Sequence, residues 1–278
     1  MTVSSPRGAR RVAPGLISHA LEVAGRLAND ATDVITATAG RGAKPTAKES
    51  PFDWVTDTDR TLERHTRRVL TAEFPGVPVV GEEFGADIGA AESEYRWVVD
   101  PVDGTANYVA GVPWCAYSLA LMDSDGPVVG VVADPYRGQI YAAARGRGAR
   151  ANGTPVTLPA RTSVAGAIVC TELTTGEPWP GMPEFIACAA AAHAGVRILG
   201  SAALAVVQVA LGHVAAAVLH SVHEWDVAGG MALALEVGAS VLDRHGVDAS
   251  LPGDGLLVAA PGVADEVLSW WSGSGVPH

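Results

Sequence analysis

Cysteine is scarce in this sequence, with only Cys115, Cys170 and Cys188 among 278 residues. The three lie far apart in apolar stretches, and no CxxC pair is present. An odd, dispersed set of this kind argues against a disulfide framework and against a cysteine-based metal or redox centre. We therefore expect three reduced, buried thiols in a cytoplasmic protein.

Basic residues are also in short supply, because 19 Lys and Arg are set against 30 Asp and Glu and leave a formal net charge of −11. This balance argues against nucleic acid or an anionic membrane as the principal partner. It also means that a phosphorylated substrate would need a metal cation to be attracted to the protein.

Long uninterrupted apolar runs are missing as well. The basic start of the chain has no apolar segment after it, so we expect no Sec signal and a disordered tail over residues 1–13. The most apolar stretch, Ala202–Leu219, is interrupted by Gln208 and by the pair Gly212–His213. A membrane-spanning helix needs about 20 mostly apolar residues, and we therefore expect none here.

The remaining composition is that of a globular protein, 48% hydrophobic and 18% charged, which can bury a substantial core. Helical apolar spacing predicts helices over 14–38, 60–74, 183–194, 200–211, 227–237 and 263–271. Short apolar runs between turn residues predict strands over 77–80, 97–99, 115–122, 128–133, 139–143, 167–171, 196–199, 214–219, 240–243 and 256–259. This mixture, without a repeat period, indicates an α/β (α+β) fold in one domain, 14–278, with lobes at approximately 14–160 and 161–278.

One stretch, Trp97–Tyr108, organises the rest of the sequence. Its apolar start, Trp97–Val99, predicts a buried strand. Pro101 lacks an N–H group and is expected to end that strand. Gly104 then permits a tight turn, and Thr105 is expected to cap the helical turn that follows.

Two carboxylates, Asp100 and Asp103, lie where this strand ends. Such groups repel each other unless a cation lies between them, and the backbone N–H groups of Gly104 and Thr105 suit an anion such as phosphate. A simple turn would explain a lone Asp-Gly pair equally well. Two Asp, a Pro and a Thr in one loop favour a divalent metal beside a phosphate.

Five acidic residues share a position at a strand end or a helix start, beside Gly, Pro or Thr: Asp59, Glu82, Asp100, Asp103 and Asp226. Mg²⁺ prefers oxygen ligands of this kind. Asp226 alone would be explained by the dipole of the following helix. His220 and His223 allow a zinc site, although loop residues of a solvent or substrate face explain the pair as well.

These residues resemble the inositol monophosphatase family of Mg²⁺-dependent, lithium-sensitive phosphatases. The resemblance covers nearly the whole chain, from Lys48 to the last helix, and four motifs carry it: Asp53-x-Val-Thr-x-x-Asp59, Gly81-Glu82-Glu83, Asp100-Pro-x-Asp103-Gly-Thr105-x-Asn107-Tyr108 and Trp225-Asp226-x-Ala228. The resemblance implies a layered αβαβα sandwich of the inositol monophosphatase or fructose-1,6-bisphosphatase type. It also implies a homodimer.

The resemblance further implies roughly two or three Mg²⁺ ions in each site. Glu82, Asp100 and the carbonyl of Val102 are implied to bind one ion. Asp100, Asp103 and Asp226 are implied to bind a second ion, and Glu82 with water a third.

For catalysis, the resemblance implies that Thr105, oriented by Asp59, activates the attacking water together with Glu82. The N–H groups of Gly104 and Thr105 are implied to hold the phosphate. The full implied set of substrate contacts is Asp103, Gly104, Thr105, Gly200, Ser201, Ala202, Leu219 and Asp226.

Two positions depart from the inositol-type pattern. Leu219 stands where that branch carries a Glu that binds ring hydroxyls, and Ala215 stands where an Asp is usual. Losing a polar ring contact weakens the case for myo-inositol phosphate, because unpaired hydroxyls reduce affinity. His220, His223 or Glu224 are candidates to replace the lost polar contact. The ending Ala106-Asn107-Tyr108 resembles that of the inositol and histidinol phosphatases.

The sequence thus predicts a Mg²⁺-dependent phosphomonoesterase that acts on a small polyol or cyclitol phosphate such as inositol 1-phosphate. Histidinol phosphate and adenosine 3′,5′-bisphosphate are alternative substrates. From a different class, a catalytically weak regulatory protein that binds metal and phosphate is the alternative, but the retention of Glu82, Thr105 and Asp226 speaks against it.

Overall fold

A computed structural model describes residues 12–41, 45–47, 54–173, 176–248, 250 and 253–273. Most of the predicted N-terminal tail lies outside the described residues. So do Lys48, where the resemblance begins, and Asp53, the first residue of the first motif.

The described residues form a mixture of helices and strands. The helices are α1 Pro14–Thr38, α2 Asp57–Glu73, α3 Thr105–Ala110, α4 Met182–Ala191, α5 Ala202–Ala210, α6 Glu224–Glu236 and α7 Ala264–Trp271, with a 3₁₀ turn at Pro261–Val263. The strands are β1 Thr46–Ala47, β2 Trp54–Val55, β3 Val79–Gly81, β4 Gly85–Ala86, β5 Arg96–Asp103, β6 Ala116–Asp123, β7 Gly126–Asp134, β8 Gln139–Ala144, β9 Ala149–Ala151, β10 Thr154–Val156, β11 Ile168–Thr171, β12 Gly195–Ile198, β13 Ala216–Leu219, β14 Ser240–Leu242 and β15 Leu256–Ala259.

The first large sheet has the strand order β10-β9-β8-β7-β6-β5-β3-β4. Its long strands pair antiparallel, and β3 runs parallel to β5. The strands β6 and β7 are buried along their whole length, because helices cover both faces of the sheet.

The second large sheet has the order β12-β11-β13-β15-β14. Its strands β12, β11 and β13 are parallel to one another. The carboxyl ends of parallel strands share one edge of a sheet, so the residues after β11, β12 and β13 are neighbours there. Ligands of α/β proteins usually bind at such an edge.

The helices and sheets form five layers. One apolar core joins α1 and α2 to the first sheet, and another joins α4 and α7 to the second sheet. Between the two sheets lie α5 and α6, whose apolar residues pack on both. This arrangement confirms the predicted α/β fold and the αβαβα sandwich. We propose that the two sheets correspond to the lobes predicted at 14–160 and 161–278.

Glycines let the central helices approach their neighbours closely. A Cβ atom at Gly229 in α6 would lie 2.6 Å from Oγ of Ser118 in β6, and one at Gly230 would lie 2.9 Å from Cγ1 of Val206 in α5. A Cβ at Gly130 in β7 would lie 2.4 Å from Cβ of Ala232 in α6. The thin central layer therefore depends on residues without side chains.

Three local predictions were wrong. Pro101 does not end β5, which continues to Asp103 and pairs it with Ala116 across a register shift. Thr105 does not cap α3, because Gly104 is the N-cap residue. The helix predicted from residue 60 begins at Asp57, because Thr56 caps it.

The three cysteines are buried and free, as predicted. Among the described residues, no helix combines the length and the apolar character that crossing a membrane requires.

Gly130→Ala should lower the free energy of unfolding by about 1–3 kcal/mol, because its methyl group would overlap Ala232 and the carbonyl of Gly229. Gly25→Ala in α1 is the matched control, since a Cβ there meets nothing within 4 Å. We expect that control to be neutral or stabilising by up to about 1 kcal/mol. Urea unfolding of both variants measures the difference, and equal midpoints would contradict the close packing.

Candidate active site

The end of β5 brings two carboxylates to the same place. Asp100 is 2% exposed and Asp103 is 8% exposed. In a regular strand, residues three apart point to opposite faces. The register shift between them changes this alternation, as β-bulges do. Both side chains can therefore serve one site, which an uninterrupted strand would not allow.

Four acidic groups converge on this point. Burial raises the pKa of Asp100 well above its usual value, and the charges of Glu82, Asp103 and Asp226 raise it further. Glu82 follows β3, and Asp226 lies in the first turn of α6. The fold thus collects carboxylates that are up to 144 residues apart in the sequence (226 − 82).

Asp103 links the first sheet to the start of α5. It accepts hydrogen bonds from the hydroxyl of Ser201 and from the backbone N–H groups of Ala202 (3.2 Å) and Ala203 (2.9 Å). Burial raises its pKa to about 8, although the donors at Ser201 and Ala203 act in the opposite direction. Since a carboxylate offers about four lone-pair positions, these three bonds leave room for a further partner.

Thr105 and Asp59 are paired as predicted. The Thr105 hydroxyl lies 3.3 Å from Oδ1 of Asp59 and 3.0 Å from the carbonyl oxygen of Val102. Asp59 is fully buried and completes a capping box with Thr56, whose N–H donates to Asp59 Oδ2 at 2.9 Å. The capping box therefore fixes the carboxylate that the Thr105 hydroxyl contacts.

Gly104 allows the β5–α3 turn to meet the segment before α5. Its φ is +88°, and a Cβ atom there would lie 2.7 Å from the carbonyl oxygen of Gly200. Gly200 also has a positive φ of +78°. Gly200, Ser201 and Ala202, which the resemblance implies as substrate contacts, lie beside Asp103 and Gly104.

The position of Glu82 depends on Glu63, which the sequence analysis did not single out. Glu63 is fully buried in α2, and its carboxylate accepts the N–H groups of Glu83 (2.7 Å) and Phe84 (3.2 Å) and pairs with Arg67 (2.8 Å). It therefore holds the turn that begins with Glu82. The i,i+4 pair Glu63–Arg67 was a visible signal, but an ordinary surface pair has the same pattern.

Asp226 also stabilises its own helix. Its Oδ2 accepts the N–H of His223 at 2.7 Å in a capping arrangement at the start of α6. Asp226 thus has a structural role at the start of α6 besides any role at the site. The charge of Asp226 nevertheless reaches both Asp100 and Asp103 and raises their pKa values.

Leu219 is the last residue of β13 and packs in the apolar core, with 1% of its surface exposed. Ala215 is also fully buried. The structure therefore leaves Leu219 no exposed side-chain surface for a ligand at the site.

The polar candidates near Leu219 already have partners. His220 stacks on Trp179 with 5.0 Å between ring centroids. His223 stacks on Trp225 at 4.5 Å. The carboxylate of Glu224 pairs with Arg96 at 2.7 Å. The two histidines point into different surroundings, and the described residues give no support for a shared zinc site.

The donors present suit a hard divalent cation, because the converging side chains are carboxylates and burial disfavours their charged forms without a cation. In the described part of the chain, however, no three His, Cys, Asp or Glu side chains stand close enough to form a ready metal cage. Asp103 and Asp226 instead direct oxygens to backbone amides at helix starts. The charges of Glu82, Asp103 and Asp226 nevertheless act together on the buried Asp100, and a cation there would offset their repulsion.

Comparison with known proteins identifies relatives along nearly the whole chain. The family model described as "Inositol monophosphatase family" matches residues 17–269. An inositol-1-monophosphatase SuhB of Mycobacterium tuberculosis is 37% identical over 280 residues, which cover 96% of this chain and 94% of the relative. A Nus factor SuhB of Pasteurella multocida is 34% identical over 261 residues, covering 90% and 94%.

A solved IMPase/NADP phosphatase in complex with Mg²⁺ and phosphate has the same fold, with a TM-score of 0.81. It is 22% identical to this chain, and the match covers 92% of this chain and 95% of that structure. This likeness concerns the fold alone.

Glu63→Ala should lower the free energy of unfolding by about 2–4 kcal/mol, because it removes a fully buried carboxylate that pairs with Arg67 and accepts the partly buried N–H groups of Glu83 and Phe84. Glu73→Ala on the same helix is the matched control. It removes a partly exposed pair with Arg26, and we expect a change of about 0–1 kcal/mol. Urea unfolding of both variants tests this, and similar losses would contradict the role assigned to Glu63.

Proposed function

The chain belongs to the inositol monophosphatase family and is a phosphatase of that family, and on this premise we propose that it hydrolyses a small polyol or cyclitol phosphate, such as inositol 1-phosphate, with Mg²⁺. The observation that carries the proposal is that the charges of Glu82, Asp103 and Asp226 act together on the buried carboxylate of Asp100 at the end of β5. The pair of Thr105 and Asp59 lies beside that point.

The carboxylates of Glu82, Asp100, Asp103 and Asp226, with the carbonyl of Val102, would hold roughly two or three Mg²⁺ ions. Bound ions supply positive charge that neutralises the phosphate, activates water and stabilises the leaving oxygen. Divalent metal use is also consistent with the phosphatase of the same fold that binds Mg²⁺ and phosphate.

The chain's own residues orient the reaction. The single O–H of Thr105 donates toward Asp59 and the carbonyl oxygen of Val102. The lone pairs of the hydroxyl can therefore accept a hydrogen bond from a water molecule. We assign Thr105 and Asp59, with Glu82, to positioning and activating that water. The N–H groups of Gly104 and Thr105 would bind the phosphate. Direct attack by water needs no covalent intermediate on the protein.

On the substrate side, we propose contacts from Gly200, Ser201 and Ala202 beside Asp103 and Asp226. Histidinol phosphate and adenosine 3′,5′-bisphosphate remain alternative substrates, because the buried Leu219 offers no polar group to a ring hydroxyl. We further propose that the protein is a cytoplasmic homodimer without nucleic-acid or membrane partners. Light scattering after size exclusion tests the dimer.

A regulatory role is the second candidate, since one relative is named a Nus factor. The two candidates differ in turnover. A protein that folds normally yet releases no phosphate from any monoester would favour a regulatory binder over an enzyme.

Phosphate release from a panel of inositol, histidinol, sugar and nucleotide monophosphates should identify the substrate. We expect the fastest turnover with inositol 1-phosphate or a related cyclitol phosphate, loss of activity in EDTA and recovery on adding Mg²⁺. Lithium should inhibit at about millimolar concentration, as the family resemblance implies. Activity that EDTA leaves unchanged would contradict the metal-dependent mechanism.

Asp103→Asn should lower kcat/KM by about a hundredfold to a thousandfold, because it removes one of the converging negative charges while preserving the shape of the side chain. Asp265→Asn, an exposed residue in α7, is the matched control and should retain full activity. Steady-state kinetics at saturating Mg²⁺, with melting temperatures of both variants, measures this. Full activity of Asp103→Asn would refute the site.

A further inference from the structure

Glu172 is a largely buried carboxylate at the site to which neither the sequence analysis nor the reaction assigns a role. It follows β11 directly, at the edge of the second sheet where β11, β12 and β13 end. Its Oε2 accepts the N–H of Gly200 at 2.8 Å. The two residues are 28 positions apart in the sequence, so the fold creates this contact.

The contact at Gly200 belongs to residues 199–203, which we call the 199–203 segment. On one side, Asn107 donates from Nδ2 to the carbonyl oxygen of Leu199 at 2.7 Å and to that of Trp114 at 2.8 Å. On the other side, Glu172 binds the N–H of Gly200. The segment then presents Ser201, Ala202 and Ala203 to Asp103 as hydrogen-bond donors.

The segment has little freedom to shift. Gly200 has a φ of +78°, and a Cβ atom there would lie 3.0 Å from Nδ2 of Asn107. Its carbonyl oxygen would lie 2.7 Å from a Cβ atom at Gly104. Small displacements of Gly200 would therefore be transmitted to the residues that contact Asp103.

The charge of Glu172 fits this position. Burial raises its pKa to about 7, and the N–H groups of Gly200, Leu199 and Ser201 act against that rise by stabilising the carboxylate. Glu172 also raises the pKa of Asp103, so the two carboxylates are within electrostatic reach. A carboxylate that accepts the N–H group of Gly200 favours a single conformation of the segment that carries this group.

We propose that Glu172 is a positioning residue of the phosphatase, which holds the 199–203 segment so that its donors fix the carboxylate of Asp103. Asn107 holds the same segment from the side of the first sheet. This inference rests on the proposed function for its catalytic consequence, but its structural consequence can be measured without turnover. The chemistry concerned is hydrogen bonding alone, and no group is transferred.

The first measurement is amide hydrogen exchange on the metal-free protein. Glu172→Ala should accelerate exchange at Gly200 by about tenfold or more, because its hydrogen bond to a charged group is lost. Exchange at Ala203 should accelerate by a smaller factor, because the segment that presents this N–H to Asp103 is no longer held at Gly200. Glu172→Gln keeps an acceptor of the same reach and should fall between Glu172→Ala and the unaltered protein. Glu177→Ala, exposed in the same loop, is the matched control and should change neither rate.

The second measurement is steady-state kinetics with inositol 1-phosphate over a range of Mg²⁺ concentrations. Glu172→Ala should lower kcat/KM by about tenfold to a hundredfold and raise the Mg²⁺ concentration needed for half-maximal rate. Glu172→Gln should keep most of the kcat/KM of the unaltered protein, because it retains a hydrogen-bond acceptor of the same reach. A residue needed only for folding would lower the melting temperature and leave the Mg²⁺ dependence unchanged.

The proposal is overturned if exchange at Ala203 in Glu172→Gln and Glu172→Ala matches the unaltered protein after correction for global stability. It is also overturned if both variants keep the Mg²⁺ dependence of the unaltered enzyme. Should Glu172→Ala fail to fold, hydrogen exchange in Glu172→Gln decides, because loss of the negative charge should still accelerate exchange at Gly200 above the rate of the unaltered protein. If the unaltered protein releases no phosphate, the proposed function fails, while the exchange rates still decide the role of Glu172.

Discussion

The site depends on one buried carboxylate, Asp103, which belongs to the first sheet and is held by the first turn of α5 in the helical layer between the two sheets. Removing such a group from water is costly unless donors replace the lost hydration. Ser201, Ala202 and Ala203 supply those donors. The same contacts satisfy N–H groups at the start of α5 that the helix itself cannot satisfy. The hydrogen bonds of Asp103 thereby join the two sheets at the point where the chemistry is proposed.

The other site residues lie near Asp103 because the strands that precede them end there. The bulge in β5 lets Asp100 and Asp103 face the same region, and the parallel strand β3 delivers Glu82 beside them. The second sheet contributes its edge of parallel strand ends, followed by Gly200 and Glu172. Because each functional group follows directly from a rigid element, the site needs few long loops to hold its geometry.

The sequence was informative where the signal was local. The apolar run Trp97–Val99 and the acidic residues after it were enough to predict a strand ending in carboxylates. The course of the chain through Pro101 was not predictable, because the pairing of Asp103 with Ala116 depends on the neighbouring strand. Glu63 and Glu172 were missed for a similar reason: their partners are 20 and 28 residues away, and neither carries a motif of its own.

The central helical layer has a consequence for the geometry of the site. The glycines of α6 bring this helix close to β6 on one side and to α5 on the other. Asp226 lies in the first turn of α6. The packing of α6 against β6 and α5 therefore sets the distance between Asp226 and the carboxylates of β5. Gly229 and Gly230, about one turn after Asp226 in α6, thus help to set the separation of these charges. Changes in interior volume can alter affinity for an ion without replacing a single atom that would bind it.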